Sequence, residues 1–399
     1  MKILWANSSF LHPTNRGGQI RTLGMLRRLH LRHQIDYAAL ADPSETEGVA
    51  RAGEYSTRVF PFEFRQRSKR SPGFAVDLAG AAFSPLPLAI GRWRCAAMMR
   101  GLARLMREEH YDAAVCDFLV TAINFPALEQ AVLFEHNVET VIWQRHTENA
   151  ADPLRRAFFN LQAKRMSRYE SDSCKRAGHV VTVSENDAAT IHGMFGVNCS
   201  PVPTGVDIDY FRPPQQPERN GLVFVGSMDW MPNIDGINWF AERVLPLIRE
   251  RHKDLPITIV GRTPPVGIEA LAASDPFFHV TGTVPDVRPY LWGAAASIVP
   301  LRIGGGTRLK IYEAMAAVLP VISTTVGAEG LDVRDGQTIA LADEPAEFAR
   351  RCIDLVSDRA AAQRMAAEAF DLVASRYSWE QVVRSFEQHL TRAAEPAAR

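Results

Sequence analysis

Pro300-Leu-Arg-Ile-Gly-Gly-Gly-Thr-Arg-Leu-Lys-Ile-Tyr-Glu-Ala-Met-Ala-Ala317 decides how this chain folds and where it binds. A buried strand, Ser297–Pro300, runs into three consecutive glycines, Gly304, Gly305 and Gly306, and a helix starts near Thr307 and continues through Ala317. Strand, glycine turn and helix form the repeating unit of a parallel α/β sheet. With no Cβ in the way, the triglycine turn lets backbone amides converge on an anion. The helix start adds unpaired N–H groups and about half a positive charge. Arg308 and Lys310 lie at that same end, where cations oppose the helix dipole at roughly 0.3–1 kcal/mol each. A bound diphosphate reverses that sign. Glu313, one or two turns further on, can accept two hydrogen bonds from the adjacent hydroxyls of a ribose. The plain alternatives are a turn that only packs strand against helix, solvated basic residues, and a surface glutamate.

Outward from this stretch, short β-branched runs alternate with longer helical patterns. The pattern predicts strands at Lys2–Ala6, Ile35–Ala39, Thr57–Phe60, Ala113–Cys116, Val132–Glu135 and Val180–Val183, then at Leu222–Val225, Ile257–Val260, His279–Thr281, Val321–Ser323 and Thr338–Leu341. Helices are expected at Gln19–Leu31, Arg92–Glu109 and Pro153–Arg176, and after Asn233, where Ile237, Phe240, Val244 and Leu247 share one face. Prolines at 201, 203, 213, 214 and 217 mark a join. Two domains are therefore expected, 1–203 with a crossover helix in 378–399, and 204–377. Sheets of this kind bind ligands at the carboxyl ends of their strands, so two such folds are expected to face each other across a cleft.

The 399 residues suit two domains, and 46% hydrophobic with 23% charged residues is a globular composition. Forty-five basic residues balance 45 acidic ones, so no overall field points to nucleic acid and any anion site is built locally. Five scattered cysteines, with no C-x-x-C pair, argue against a disulfide framework or zinc site. The apolar run after Met1 is too short for a signal peptide, and no stretch approaches ~18 uninterrupted apolar residues. A cytoplasmic protein is expected. Phe62–Arg70 mixes cations with aromatics and is followed by an apolar run around Phe83–Ile90. It reads either as a solvated loop or as a patch for anionic headgroups or a lipid-linked substrate at the cytoplasmic face of the membrane.

Four tags join Lys310-Ile-Tyr-Glu313-Ala-Met-Ala of the opening stretch: Glu135-His136-Asn137-Val138-Glu139, Val183-Ser184-Glu185, Thr204-Gly205-Val206-Asp207 and Phe224-Val225-Gly226-Ser227. In this order and spacing the chain resembles the retaining GT-B glycosyltransferases of the family 4 type, particularly bacterial exopolysaccharide sugar transferases. The resemblance implies a nucleoside-diphosphate sugar as donor substrate, no further cofactor, no metal, and a hydroxyl acceptor that is a glycan, lipid-linked or small molecule. It implies transfer of a hexose-type sugar with retention. It makes Glu313 the ribose ligand, Arg308 and Lys310 phosphate ligands, and Gly226 and Ser227 neighbours of the donor. Val284 then packs on the base, His136 reaches the reacting centre, and the Gly17-Gly18 turn faces the donor phosphates, unless those glycines serve turn geometry alone.

Two departures stand out. Of the family's two glutamates seven residues apart, the first falls at Gly305, and Ser227–Asn233 lacks the usual arginine and lysine. Asp207-Ile208-Asp209 spells a D-x-D, but its place in the linker argues against a metal site. Glu135 and Glu139 are weak candidates for a nucleophilic carboxylate. A sugar-nucleotide epimerase of the same fold and a non-catalytic binding subunit are the alternatives; a nicotinamide enzyme lacks its G-x-G-x-x-G after the first strand.

Overall fold

The computed structural model describes the chain apart from residues 15–16, 45, 67–83, 149, 151, 216–217, 304–308 and 395–399. It divides into two units, Met1–Pro203 with Val382–Arg399, and Thr204–Gln381.

The N-terminal unit is built on seven parallel strands: β1 (Lys2–Asn7), β2 (Gln34–Ala41), β3 (Arg58–Glu63), β4 (Ala113–Asp117), β5 (Val132–Phe134), β6 (His179–Thr182) and β7 (Ser200–Pro201). Their order is β3-β2-β1-β4-β5-β6-β7, which reverses direction between β1 and β4. Both faces are covered, as all-parallel sheets require. Leu4, Ala6, Ala114, Cys116 and Leu133 pack against Met98 and Leu102 of the helix Ala96–Glu108. On the alternate positions, Trp5 and Phe134 meet Phe386 of the last helix, Trp379–Ala394, at centroid distances of 5.6 and 5.0 Å. That helix returns the end of the chain to the first unit. Asp152 caps the long helix Pro153–Arg176, and Ser184 caps Glu185–Phe195, which ends at Gly196 with φ 71°. The strand β7 escapes a sequence reading, being two residues long with a proline at the sheet edge.

The C-terminal unit holds six parallel strands, β8 (Leu222–Val225), β9 (Ile257–Val260), β10 (Phe278–Gly282), β11 (Ala296–Val299), β12 (Val321–Ser323) and β13 (Ala340–Leu341), ordered β10-β9-β8-β11-β12-β13. Alternate residues serve opposite faces. Phe224, Ile257, Ile259, Ile298 and Ile322 enter one core, while Val223, Val260, Val299 and Val321 enter another. The predicted helix face after Asn233 is real, with Ile237, Phe240 and Val244 buried, but the helix is interrupted. A wide turn at Phe240–Val244 separates Met231–Trp239 from Leu245–Arg251. Pro246 has no N–H for the regular ladder, and the wider turn accommodates it.

At the ends of β8 and β9 the backbones nearly touch. A Cβ added to Gly261 would overlap the Gly226 carbonyl oxygen, which has no freedom to move aside. Gly261→Ala is expected to cost on the order of 3 kcal/mol in the C-terminal unit, read as an earlier urea midpoint. An unchanged midpoint contradicts this close approach.

All five cysteines are free. Cys95, Cys116, Cys174 and Cys352 are buried and Cys199 half-buried. Burial pushes the thiols of Cys116, Cys174, Cys199 and Cys352 up. Among the described residues no helix is long and apolar enough to cross a membrane. Phe62 and Phe64, the aromatics at the start of the basic stretch, turn inward: Phe62 packs over Gly101 and Phe64 stacks on Trp93 at 6.0 Å. The rest of the basic stretch, from residue 67, and the apolar run as far as Phe83 lie outside the described residues.

Candidate functional site

In the C-terminal unit the strand order reverses between β8 and β11, and ligands of such sheets sit outside the carboxyl ends there. Gly226 ends β8. A side chain on it would come within 2.7 Å of Lys310 Nζ and 2.9 Å of Asn233 Nδ2. Lys310, from the helix Leu309–Ala316, donates to Asn233 Oδ1 at 2.7 Å and stands 4.3 Å from the Phe224 ring centroid. Asn233 Nδ2 in turn donates to the Ser227 carbonyl at 2.7 Å. One amide thus orients both a cation and the loop after β8.

Glu313 follows Lys310 by three positions, on the same helix face. Burial raises its carboxyl to about 7, with the Lys310 charge pulling the other way. Near neutral pH it therefore exists as acid and carboxylate together. Val284 is partly buried against the core that includes Val260 and Leu291. Gly304, Gly305, Gly306, Thr307 and Arg308 lie outside the described residues.

Ser227 Oγ donates to Asp229 Oδ1 at 2.6 Å and accepts from Arg262 Nε at 2.8 Å, and Arg262 also meets Asp229 at 3.1 Å. Sequence reasoning looked for a cation within Ser227–Asn233 and overlooked Arg262. The adjacent strand, β9, delivers it to the same place. The signal was Gly261, whose missing side chain brings the two strand ends together. Asp207 accepts from the Tyr210 amide at 3.0 Å and caps the short helix Ile208–Phe211, which accounts for the D-x-D motif. Among the described residues no group of three or more His, Cys, Asp or Glu side chains is placed to hold a metal.

In the N-terminal unit the corresponding reversal lies between β1 and β4. His136, just beyond β5, is 9% exposed, and its Nε2 lies 2.7 Å from Asp117 Oδ1 at the end of β4. Phe118 stacks on the imidazole at 3.7 Å, held at φ 68°, a left-handed conformation that costs a bulky residue of order 1–3 kcal/mol. Gly18 has a packing role here: a Cβ would overlap the Phe118 ring, whereas nothing lies within 4 Å of a Cβ on Gly17. Burial lowers the pKa of His136, Asp117 opposes the shift, and Arg21 adds to it. Arg21 is itself buried. Its Nη2 donates to the Val202 carbonyl, its Nε and Nη1 have no hydrogen-bond partner among the described residues, and burial lowers its pKa to about 9.

Beside His136 is a cavity of about 130 Å³, lined by Ile90, Trp93, Phe118, Leu119 and Met166 together with Glu135, Asn137 and Glu139. Its carboxyls are unusual. Burial first, and then repulsion from Glu170 and Glu139, raises Glu135 well above the ordinary range. Burial also raises Glu139. Burial thus works against the charged, nucleophilic form of both carboxyls.

Residues 219–358 match the family described as Glycosyl transferases group 1. A curated relative from Klebsiella pneumoniae, "Uncharacterized 44.6 kDa protein in cps region", is 25% identical over 171 residues, 41% of this chain and 44% of that protein. The chain thus spans less than half the length of that relative. Among solved structures, sucrose-phosphate synthase from Thermosynechococcus elongatus superposes with a TM-score of 0.70 at 16% identity, covering 98% of both chains. Anabaena HepE in complex with UDP and glucose gives 0.63 at 14%, covering 98% of this chain and 100% of that one. A mutant of S. aureus TarM in complex with Fondaparinux, alpha-GlcNAc-glycerol and UDP gives 0.66 at 13%, covering 97% and 99%. The fold is the GT-B glycosyltransferase fold. Residues 219–358 carry the likeness to that family, and the fold likeness extends over nearly the whole chain. In GT-B terms, Lys310, Glu313 and Gly226 lie in the family-matched unit, and His136 lies in the other.

Proposed function

We propose that this protein transfers a hexose-type sugar from a nucleoside-diphosphate donor to a hydroxyl acceptor, with retention, in the building of a polysaccharide or related glycan. One observation carries the reading. At the carboxyl end of β8 a glycine leaves room for Lys310, which Asn233 holds in place, and a partly buried carboxyl, Glu313, lies one turn away. That is a charge for a diphosphate and a pair of acceptor oxygens for a ribose. HepE and TarM, similar in fold, bind UDP, which supports the donor class.

In this reading the nucleotide sugar is a substrate and no separate cofactor or metal takes part. Lys310, with Arg308 and the glycine amides expected from the sequence, offsets charge on the departing diphosphate; removing one such donor costs about 2.7–4 kcal/mol in comparable sites. The acceptor binds the N-terminal unit, near His136. The protein works in the cytoplasm, with peripheral contact at the membrane face when the acceptor is lipid-linked.

A thermal-shift screen against UDP, GDP, ADP and their sugars tests the reading. At about 100 times the dissociation constant the stabilisation reaches about 2.7 kcal/mol, and Lys310→Met is expected to remove most of it. The reading fails if no nucleoside diphosphate or nucleotide sugar stabilises the protein at millimolar concentration. Release of an epimerised donor without acceptor would instead identify an epimerase.

A further inference from the structure

Asp117 collects more hydrogen bonds than its place at the end of an ordinary strand suggests, and its two oxygens have different tasks. Oδ2 accepts from Trp5 Nε1 at 3.1 Å, Asn7 Nδ2 at 2.8 Å and Thr22 Oγ1 at 2.8 Å. Oδ1 faces His136 Nε2 at 2.7 Å. Asp117, Trp5 and Thr22 are fully buried and Asn7 is 1% exposed, so water does not substitute for any of these donors. A carboxylate surrounded by donors is an acceptor at both oxygens. The ring nitrogen that faces it must therefore carry a proton.

A neutral imidazole has one proton to place. With that proton on Nε2, Nδ1 keeps its lone pair, and Nδ1 has no hydrogen-bond partner among the described residues. The ring cannot readily turn over to exchange its two nitrogens, because Phe118 stacks on it at 3.7 Å and Phe134 leans on it at 4.6 Å. The same ring lines the 130 Å³ cavity.

We propose that Asp117 is a positioning residue that locks His136 in the Nε2–H tautomer, so that Nδ1 accepts a hydrogen bond from a sugar hydroxyl entering the cavity. A lone pair there selects a hydroxyl, a donor, over a carbonyl or phosphate oxygen, which can only accept. The apolar walls, Trp93, Leu119 and Met166 among them, suit the carbon face of a sugar ring. That the hydroxyl belongs to a sugar rests on the function proposed above; the tautomer does not.

Asp117→Asn separates positioning from mere packing. The amide oxygen can still accept from Trp5, Asn7 and Thr22, while the amide NH₂ now faces Nε2 as a donor. The imidazole proton then moves to Nδ1, and the lone pair there is lost. Ring 15N resonances of His136, assigned with His136→Asn, are expected to show a protonated Nε2 and bare Nδ1 in the wild-type protein at pH 7.5. In Asp117→Asn the two exchange roles, and kcat for UDP-glucose is expected to fall about 10- to 100-fold, the scale of a hydrogen bond lost with its partner left unpaired. The KM for UDP-glucose is expected to move less than about threefold. A loss of packing alone would lower stability and leave the tautomer unchanged. A wild-type His136 protonated at Nδ1 overturns the inference, whether or not the variant folds. So does a variant with exchanged nitrogens and undiminished kcat. Wild-type protein that does not turn over UDP-glucose counts against the proposed function, and the wild-type resonances still decide the tautomer.

Discussion

Glu313→Gln is expected to give a protein that is more stable at pH 8 yet binds UDP more weakly. The stability arm follows from the raised carboxyl. Its folded value is about 7 against an ordinary 4.5, so between those values the folded state keeps a proton that the unfolded chain has lost. The stabilisation is complete below about pH 4.5 and disappears as pH rises through 7. The ceiling is about 3 kcal/mol, and the side chain's partial exposure reduces this to about 1–3 kcal/mol. Glutamine never ionises and avoids the loss. The binding arm runs the other way. A charged acceptor for ribose hydroxyls contributes about 1.5–3 kcal/mol, so the dissociation constant for UDP should rise roughly 10- to 100-fold. Urea unfolding at pH 5 and 8, with calorimetric titration of UDP, measures both arms. Equal stability at pH 8 would refute the raised carboxyl, and an unchanged affinity would remove Glu313 from the donor site.

The N-terminal unit should show a still steeper response to pH. Three carboxyls share one region behind β5. Glu135 is 2% exposed and raised well above the usual range by burial, then by Glu170 and Glu139. Burial raises Glu139 as well, and takes Glu170 to about 7, although Glu170 accepts from the amides of Glu139 at 2.7 Å and Thr140 at 2.8 Å. All three shifts have the same sign. The folded state binds more protons than the unfolded chain above pH 4.5, and stability falls as pH rises from about 5 to 8, by up to about 1.4 kcal/mol per pH unit for each group. Glu135→Gln is expected to flatten that slope and to be stabilised relative to the wild type more at pH 8 than at pH 5. Urea midpoints across this range test it. A wild-type protein more stable at pH 8 than at pH 5 would reverse the sign and refute the account.

Much of this architecture is legible in the sequence because its signals are local. β8, β9 and β12 lie where their apolar runs predict, and the helix Pro153–Arg176 announces itself with an aspartate cap and a proline at its first position. What was missed depends on distant residues meeting. Asp117 ends a five-residue strand like any other acid after a hydrophobic run, and its partners come from positions 5, 7, 22 and 136. No spacing rule connects them. The available clue was topological, since an acid at the end of the fourth strand of a doubly wound sheet falls where the strand order reverses. Arg262 was hidden for the same reason: it is next to Ser227 across the sheet and 35 residues away along the chain. The wide turn at Phe240–Val244 is a different case. The apolar spacing was read correctly, and Pro246 was the overlooked sign that the ladder could not run through unbroken.

The cysteines carry a consequence for anyone who studies this molecule in solution. Cys95, Cys116, Cys174 and Cys199 belong to the N-terminal unit, and Cys352 stands by itself in the C-terminal one. Burial keeps the Cys352 sulfur protonated and shielded, so alkylating reagents attack it only in molecules whose C-terminal unit has opened. Labelling at position 352 against labelling at 116 and 174 is thus a built-in clock for the opening of each half, read peptide by peptide without introducing a single foreign probe.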